Sequence, residues 1–172
     1  MLNNKNFNAS TTNWIGLWTL FSKETTRFLK VFYQTVLAPV VTNILFLTVF
    51  LIVIDRKDFS LGGVGYSEFL VPGLIMMQIL QNSFMNTSST IMISKVQGNI
   101  VDILLPPLSS LELTLALSFG GVARGMIVGL ASTIALYFFI DMKFINFFYI
   151  IFFSFSGSLS LSLLGIMGGI WS

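Results

Sequence analysis

The stretch FINFFYIIFFSFSGSLSLSLLGIMGGIWS, residues 144–172, contains no charged side chain, and it decides the fold class. An α-helix needs ~20 apolar residues to cross ~30 Å of hydrocarbon, and this run exceeds that. Working outward from it, Leu113 to Ile140 carries a single charge, Arg124. Phe69 to Ser94 is uncharged and ends at Lys95, and Val31 to Ile54 is uncharged and ends at Asp55-Arg56-Lys57-Asp58. Backbone groups in lipid must be satisfied within their own segment, so these runs are read as helices. Barrel strands would alternate apolar and polar residues over ~10-residue segments, and no such alternation is present. The chain is therefore read as an all-α integral membrane protein with spans at 34–54, 69–91, 113–140 and 144–171.

Composition agrees. Of 172 residues, 55% are hydrophobic and 9% charged, with a mean hydropathy of +0.87. A soluble domain carries roughly 25% charged residues, so this chain lacks the polar surface to cover a globule. Neither cysteine nor histidine occurs, which excludes disulfides, Cys/His zinc sites and His- or Cys-based catalysis. A net charge of +2, scattered along the chain, does not suggest nucleic acid as a partner. The first residues, Met1 to Asn6, show no apolar core before a small-residue cleavage site, so no removable leader is expected.

Ahead of the first span, residues 12–30 have a different pattern. Trp14, Leu17, Trp18, Phe21, Thr25, Phe28 and Phe32 recur at helical spacing, with Thr19, Lys23, Thr26, Arg27 and Lys30 opposite. A basic face against an aromatic face predicts a helix lying in the membrane interface, with Thr12 or Asn13 as N-cap. Lys5, Lys23, Arg27, Lys30 and Lys95 fall on one side of the spans. Arg56, Lys57 and Lys143 fall on the other, diluted by Asp55, Asp58, Glu68 and Asp141. Five basic residues against three predict a cytoplasmic N-terminus, an outer loop over 55–68 and a short outer turn at 141–143.

The connection at 95–110 then faces the cytoplasm. Val96, Ile100, Ile103 and Leu104 form one stripe, with Lys95, Gly98, Asn99 and Asp102 opposite, which predicts an amphipathic helix of about three turns. Pro106-Pro107 ends it, because proline lacks an amide and restricts the residue before it. Ser109 and Glu112 have the spacing of a capping box for the third span, which makes Glu112 a cap rather than a catalytic acid. A helix so placed either transmits force from a docked partner or simply lies at the lipid headgroups.

Within the spans, Gln78, Asn82, Asn86 and Thr90 recur every four residues, a stripe too polar to face lipid. It either bonds neighbouring helices or lines a translocation route. Gly121, Gly125 and Gly129 form a small-residue ribbon, and Ser154, Ser158 and Ser162 a similar ridge, both read as packing faces. Arg124 is expected to snorkel from near the cytoplasmic boundary or to serve a structural hydrogen bond, with a substrate or gating role as the sharper alternative. No P-loop occurs, so the chain does not itself hold nucleotide by that motif.

Three stretches resemble the ABC-2 type permeases, the membrane subunits of ATP-binding-cassette exporters. Phe69-Leu-Val-Pro-Gly-Leu-Ile-Met-Met-Gln78 with Asn82-Ser-Phe-Met-Asn86 resembles their second span. Lys95-Val-Gln-Gly-Asn-Ile-Val-Asp-Ile-Leu-Leu-Pro-Pro-Leu-Ser109 resembles their cytoplasmic coupling region, and Gly120-Gly-Val-Ala-Arg124-Gly with Gly129 their third span. The resemblance implies a homodimeric, non-enzymatic exporter of lipids, glycans or drugs, docked to a separate P-loop ATPase that binds ATP and magnesium. It implies ATPase contact at Gln97, Gly98, Asn99, Ile100 and Asp102, and an elbow helix at 12–30. Gln78, Asn82, Asn86 and Arg124 become candidates for the path or the dimer seam. The family pattern has six spans and this chain carries four, so an incomplete membrane domain is expected. A rival reading is a non-transporting membrane scaffold whose loop binds a soluble partner.

Overall fold

The computed structural model describes residues 13–54, 60–61, 64–140 and 146–172. Most of the charges behind the orientation expectation, including Asp55 to Asp58, Asp141 and Lys143, lie outside the described residues. Helix α1, Trp14–Lys30, is capped by Asn13, whose side chain accepts from the Gly16 amide at 2.9 Å. It passes through a π-helical turn, Tyr33–Leu37, into α2, Ala38–Ile54. The wider π turn lies just before Pro39, which cannot donate to the preceding carbonyl ladder. Two-residue strands β1, Ser60–Leu61, and β2, Val64–Gly65, pair antiparallel with Ser60 opposite Gly65. They lead into α3, Tyr66–Val96, followed by α4, Ile100–Leu104, α5, Ser110–Tyr137, and α6, Phe147–Trp171.

Tyr33–Ile52, Ser110–Tyr137 and Phe147–Trp171 are each long and apolar enough to cross a membrane. The expected span at 69–91 lies within α3, which at 31 residues is about 46 Å long at 1.5 Å per residue. Its amides and hydroxyls lower its hydropathy below that of the other three. Six of those groups, on Gln78, Asn82, Ser83, Asn86, Thr87 and Thr90, are instead buried, because α3 packs most extensively against α6 and α5, two of the membrane-length helices.

Two apolar clusters close the ends of the bundle. One joins Leu20 of α1, Ile91 of α3, Ala116 and Leu117 of α5, and Ile166 of α6. The other joins Leu47 of α2, Val71 of α3 and Leu136 of α5. Between them the α3–α5–α6 contact is made of small polar residues. Ser83 Oγ and Ser158 Oγ lie 2.6 Å apart, Thr87 Oγ1 donates to the Ser162 carbonyl at 2.9 Å, and Ser162 Oγ donates to the Ser118 carbonyl at 2.9 Å. Interhelical bonds of this kind contribute about 0.6 kcal/mol each on average in a membrane protein. The glycine and serine ribbons are therefore packing faces, as their spacing predicts.

The ribbon is tight. A Cβ at Gly125 would sit 2.7 Å from the Ile79 carbonyl oxygen and would run into Ser83 Oγ, while one at Gly165 would meet the Phe84 carbonyl at 2.6 Å. A Cβ at Gly73 meets nothing within 4 Å. Gly125→Val is accordingly expected to destabilise the bundle by about 1–3 kcal/mol, the usual range for overpacking. Gly73→Ala should be neutral or slightly stabilising. Thermal unfolding in detergent, followed by circular dichroism, checks both; equal melting temperatures for the two variants would contradict the packing assignment.

Candidate functional site

Two regions carry the residues singled out by sequence: the α3–α4–α5 connection and a groove beside Arg124. In the connection, α3 runs to Val96 and stops in a turn where the Gly98 amide reaches the Lys95 carbonyl at 3.1 Å. Gly98 has φ +73°, a left-handed conformation that side-chain-bearing residues adopt at a cost of about 1–2 kcal/mol. This turn corrects the expected three-turn helix. Lys95 and Val96 belong to α3, and α4 is five residues long. The expected apolar stripe splits accordingly: Ile100 packs against the cluster around Leu20 and Ala116, whereas Val96 and Leu104 stay exposed. Gln97, Gly98, Asn99 and Asp102 are all exposed.

The far side of this connection is anchored by Glu112. Ser109 and Glu112 form the expected capping box, with the Ser109 amide donating to Glu112 Oε2 at 2.7 Å and the Glu112 amide to Ser109 Oγ at 3.3 Å. The other carboxylate oxygen accepts from the Asn13 amide at 2.6 Å. One carboxylate thus caps α5 and holds the start of α1 beside it. Leu108 lies against Gly16, where a Cβ would approach its side chain to 2.7 Å.

Helix α1 is held a second time, near its end. Its packed face is Leu20, Glu24 and Phe28, while Trp14 and Trp18 remain exposed. Glu24 is 3% exposed. It accepts from Thr90 Oγ1 of α3 at 2.9 Å and pairs with Arg27 at 3.1 Å, and Arg27 Nη2 also donates to Thr90 Oγ1. Gly120 of α5 leaves the room for this, since a Cβ there would lie 3.0 Å from Glu24 Cβ. The sequence pattern grouped Arg27 with the solvent face and gave Glu24 no role. The Glu24–Gly120 fit depends on how two distant helices meet, and no local spacing encodes it.

The second region is an open groove of about 540 Å³ between the start of α2, the middle of α3 and Arg124 of α5. Gln78, Asn82 and Arg124 line it together with Gln34, Thr42 and Gln81. Asn82 Nδ2 donates within α3, to the Gln78 carbonyl at 2.9 Å and to Gln78 Oε1 at 3.2 Å, so these two amides do not cross-link helices. Asn86 is fully buried and accepts from Arg124 Nη1 at 3.5 Å. Arg124 stands at the middle of the 28-residue α5, and its guanidinium turns toward α3. The structure therefore brings Gln78, Asn82, Asn86 and Arg124 together, and keeps them apart from Gln97 to Asp102. Among the described residues no cluster of three or more acidic side chains offers a metal site.

Removing the Glu24 carboxylate takes the ion-pair partner from Arg27 and the link from α1 to Thr90, although Thr90 Oγ1 keeps the Asn86 carbonyl at 2.7 Å. The Arg27 side chain is 39% exposed and water compensates part of the loss, so Glu24→Ala is expected to cost about 1.5–3 kcal/mol, the range for hydrogen bonds to charged groups. Limited proteolysis should then cut within α1 faster than in the parent protein. Unchanged cleavage and melting would show that α1 is held by its apolar contacts alone.

Comparison with known proteins supplies the family. Residues 16–172 match the ABC-2 type transporter family. The inner membrane transport permease YadH of Escherichia coli K12 is 30% identical over 159 residues, covering 92% of this chain and 62% of YadH. The YadH proteins of Escherichia coli O157:H7 and Shigella flexneri align with the same identity and coverage. The chain thus spans 62% of the length of these curated relatives. No solved structure matches it. With the match running from α1 to the end of α6, this chain belongs to the ABC-2 type transporter family.

Proposed function

We propose that the chain is the membrane-spanning permease subunit of an ATP-binding-cassette exporter of the inner membrane, driven by a separate P-loop ATPase that binds ATP and magnesium. In this reading the N-terminus is cytoplasmic, the subunit works as a homodimer, and the cargo is a lipid, glycan or drug-like molecule. Family membership and the transport-permease relatives support it.

The observation that carries the reading is the exposed Gln97–Asp102 segment, fixed at both ends. It begins at the left-handed Gly98 turn of α3, is seated by Ile100 on the apolar cluster, and ends at the Ser109–Glu112 cap of α5. A partner pressing on Asn99 and Asp102 therefore moves α3 and α5 directly, and α1 through the Asn13–Glu112 bond. Helices α3 and α5 bear the groove residues Gln78, Asn82 and Arg124. Nucleotide-driven closure of the ATPase dimer would rock these helices and change access to the groove.

Copurification with the ATPase, comparing the parent protein with Asn99→Ala/Asp102→Ala, tests the coupling. The variant is expected to lose about tenfold in ATPase affinity or stimulation, equivalent to about 1.4 kcal/mol. Unchanged binding and stimulation would reject the coupling role. Binding without any stimulation by the parent protein would favour a scaffold. Asn82→Leu should lower export while the complex still assembles; loss of assembly would instead make the amide stripe a packing or dimer-seam feature.

A further inference from the structure

Arg27 and Arg124, both partly buried, differ in how their charge is balanced. Arg27 has the Glu24 carboxylate at 3.1 Å. Arg124 has no carboxylate within ion-pair distance among the described residues, and its single protein hydrogen bond is the 3.5 Å contact to Asn86 Oδ1. Arg124 Nε and Asn86 Nδ2 are both buried without an acceptor. Buried donors left unpaired are uncommon, and a guanidinium's planar fork is shaped for a carboxylate or a phosphate. The groove beside it carries amides and hydroxyls from Gln34, Thr42, Gln78, Gln81 and Asn82, and no acidic residue lines it. Gln34 and Gln81 are exposed, so their amides are free to turn their N–H groups inward.

Apolar surface continues from this polar patch. On α2, Leu45 and Phe46 follow Thr42 by about one turn and are 60% and 50% exposed; on α3, Met77 and Met85 flank Gln81 and are 61% and 49% exposed. A ligand seated at Arg124 meets polar groups at one end and hydrocarbon-facing walls along the other.

We propose that the groove between α2, α3 and Arg124 is a binding site for an amphiphile with an anionic, phosphate-bearing headgroup. The headgroup accepts from the Arg124 guanidinium, with the Gln34 and Gln81 amides as further donors, and the chain lies along Leu45, Phe46 and Met77. The proposal deepens the permease reading by naming the chemical class of the cargo and rests on that reading for the word cargo. The binding itself is measured without the ATPase, so its failure leaves the coupling role standing, and failure of coupling leaves the site standing.

The chain lacks cysteine, so Met85→Cys introduces a unique thiol at the groove. Protein carrying this thiol, in neutral detergent micelles, is reacted with a maleimide while phosphatidic acid, diacylglycerol or inorganic phosphate is titrated in. Phosphatidic acid is expected to protect the thiol at about tenfold lower concentration than diacylglycerol, with inorganic phosphate giving no protection. Arg124→Gln should erase the difference between the two lipids. Gln81→Glu, a change at an exposed position, should weaken phosphatidic acid protection about tenfold and leave diacylglycerol unaffected. Equal protection by both lipids in the Met85→Cys protein that retains Arg124 and Gln81 overturns the proposal. So does protection by inorganic phosphate alone, which would mark a free-anion site. If Arg124→Gln aggregates, the Gln81→Glu comparison decides alone, and an unchanged phosphatidic acid curve there rejects the site.

Discussion

The close approach of α3 to α5 and α6, backbone against small side chain, is the constraint on which the other features depend. It exists because Gly121, Gly125 and Gly165 lack a Cβ where Ser83, Thr87 and the Phe84 carbonyl come in. It also fixes how α3 is rotated. Once Ser83 and Thr87 face the seam, the residues one step away around the helix, Gln78, Asn82, Asn86 and Thr90, must face α1, α2 and Arg124. One helix therefore carries two polar faces with different tasks. The seam face exchanges hydrogen bonds with α6, while the other face lines a groove and meets the charged residues of α1 and α5.

Helix α1 illustrates how an amphipathic helix becomes part of the bundle. Its apolar contacts are supplemented by two carboxylates from opposite directions. Glu112 of α5 holds its first residue, and its own Glu24 reaches Thr90 of α3. Because the Glu112 cap also ends the 97–109 connection, α1, the connection and α5 share one anchoring group. Displacement at the proposed docking segment is then distributed over three helices without any long-range relay.

Much of this was legible in the sequence. The Ser109–Glu112 box and the glycine and serine ribbons are local patterns whose chemistry has one structural outcome, and the pattern narrows the α1 cap to Thr12 or Asn13, of which Asn13 caps. The polar stripe of α3 was legible as a stripe, but its partition was not, since periodicity gives spacing and leaves rotation about the axis open. Glu24 was missed for a related reason. A lone carboxylate on a basic helix reads as solvated until Gly120 on another helix is seen to make room for it. The overlong expectation for α4 came from a pattern that ran through Gly98 without registering that its left-handed turn resets the helix phase. Arg124 lies at the centre of α5, Ser110–Tyr137, and its turn toward Asn86 of α3 is set by helix rotation, which the sequence pattern leaves open.

That central position bears on the groove. An arginine on a membrane-spanning helix costs up to about 2.5–3.5 kcal/mol on insertion scales, and a permanent carboxylate partner would be the simplest offset. The fold contains such a carboxylate within the same polar region, yet Glu24 is engaged with Arg27 and Thr90. Asn86 in contrast offers Arg124 a neutral oxygen at the limit of hydrogen-bonding distance. A neutral, long contact leaves most of the guanidinium's hydrogen-bonding capacity available to an exchangeable anion, whereas an internal ion pair would have to be broken at every turnover. For a site that must both accept and release a charged ligand, the weaker internal partner is the better arrangement, and the distribution of partners between Arg27 and Arg124 follows that logic.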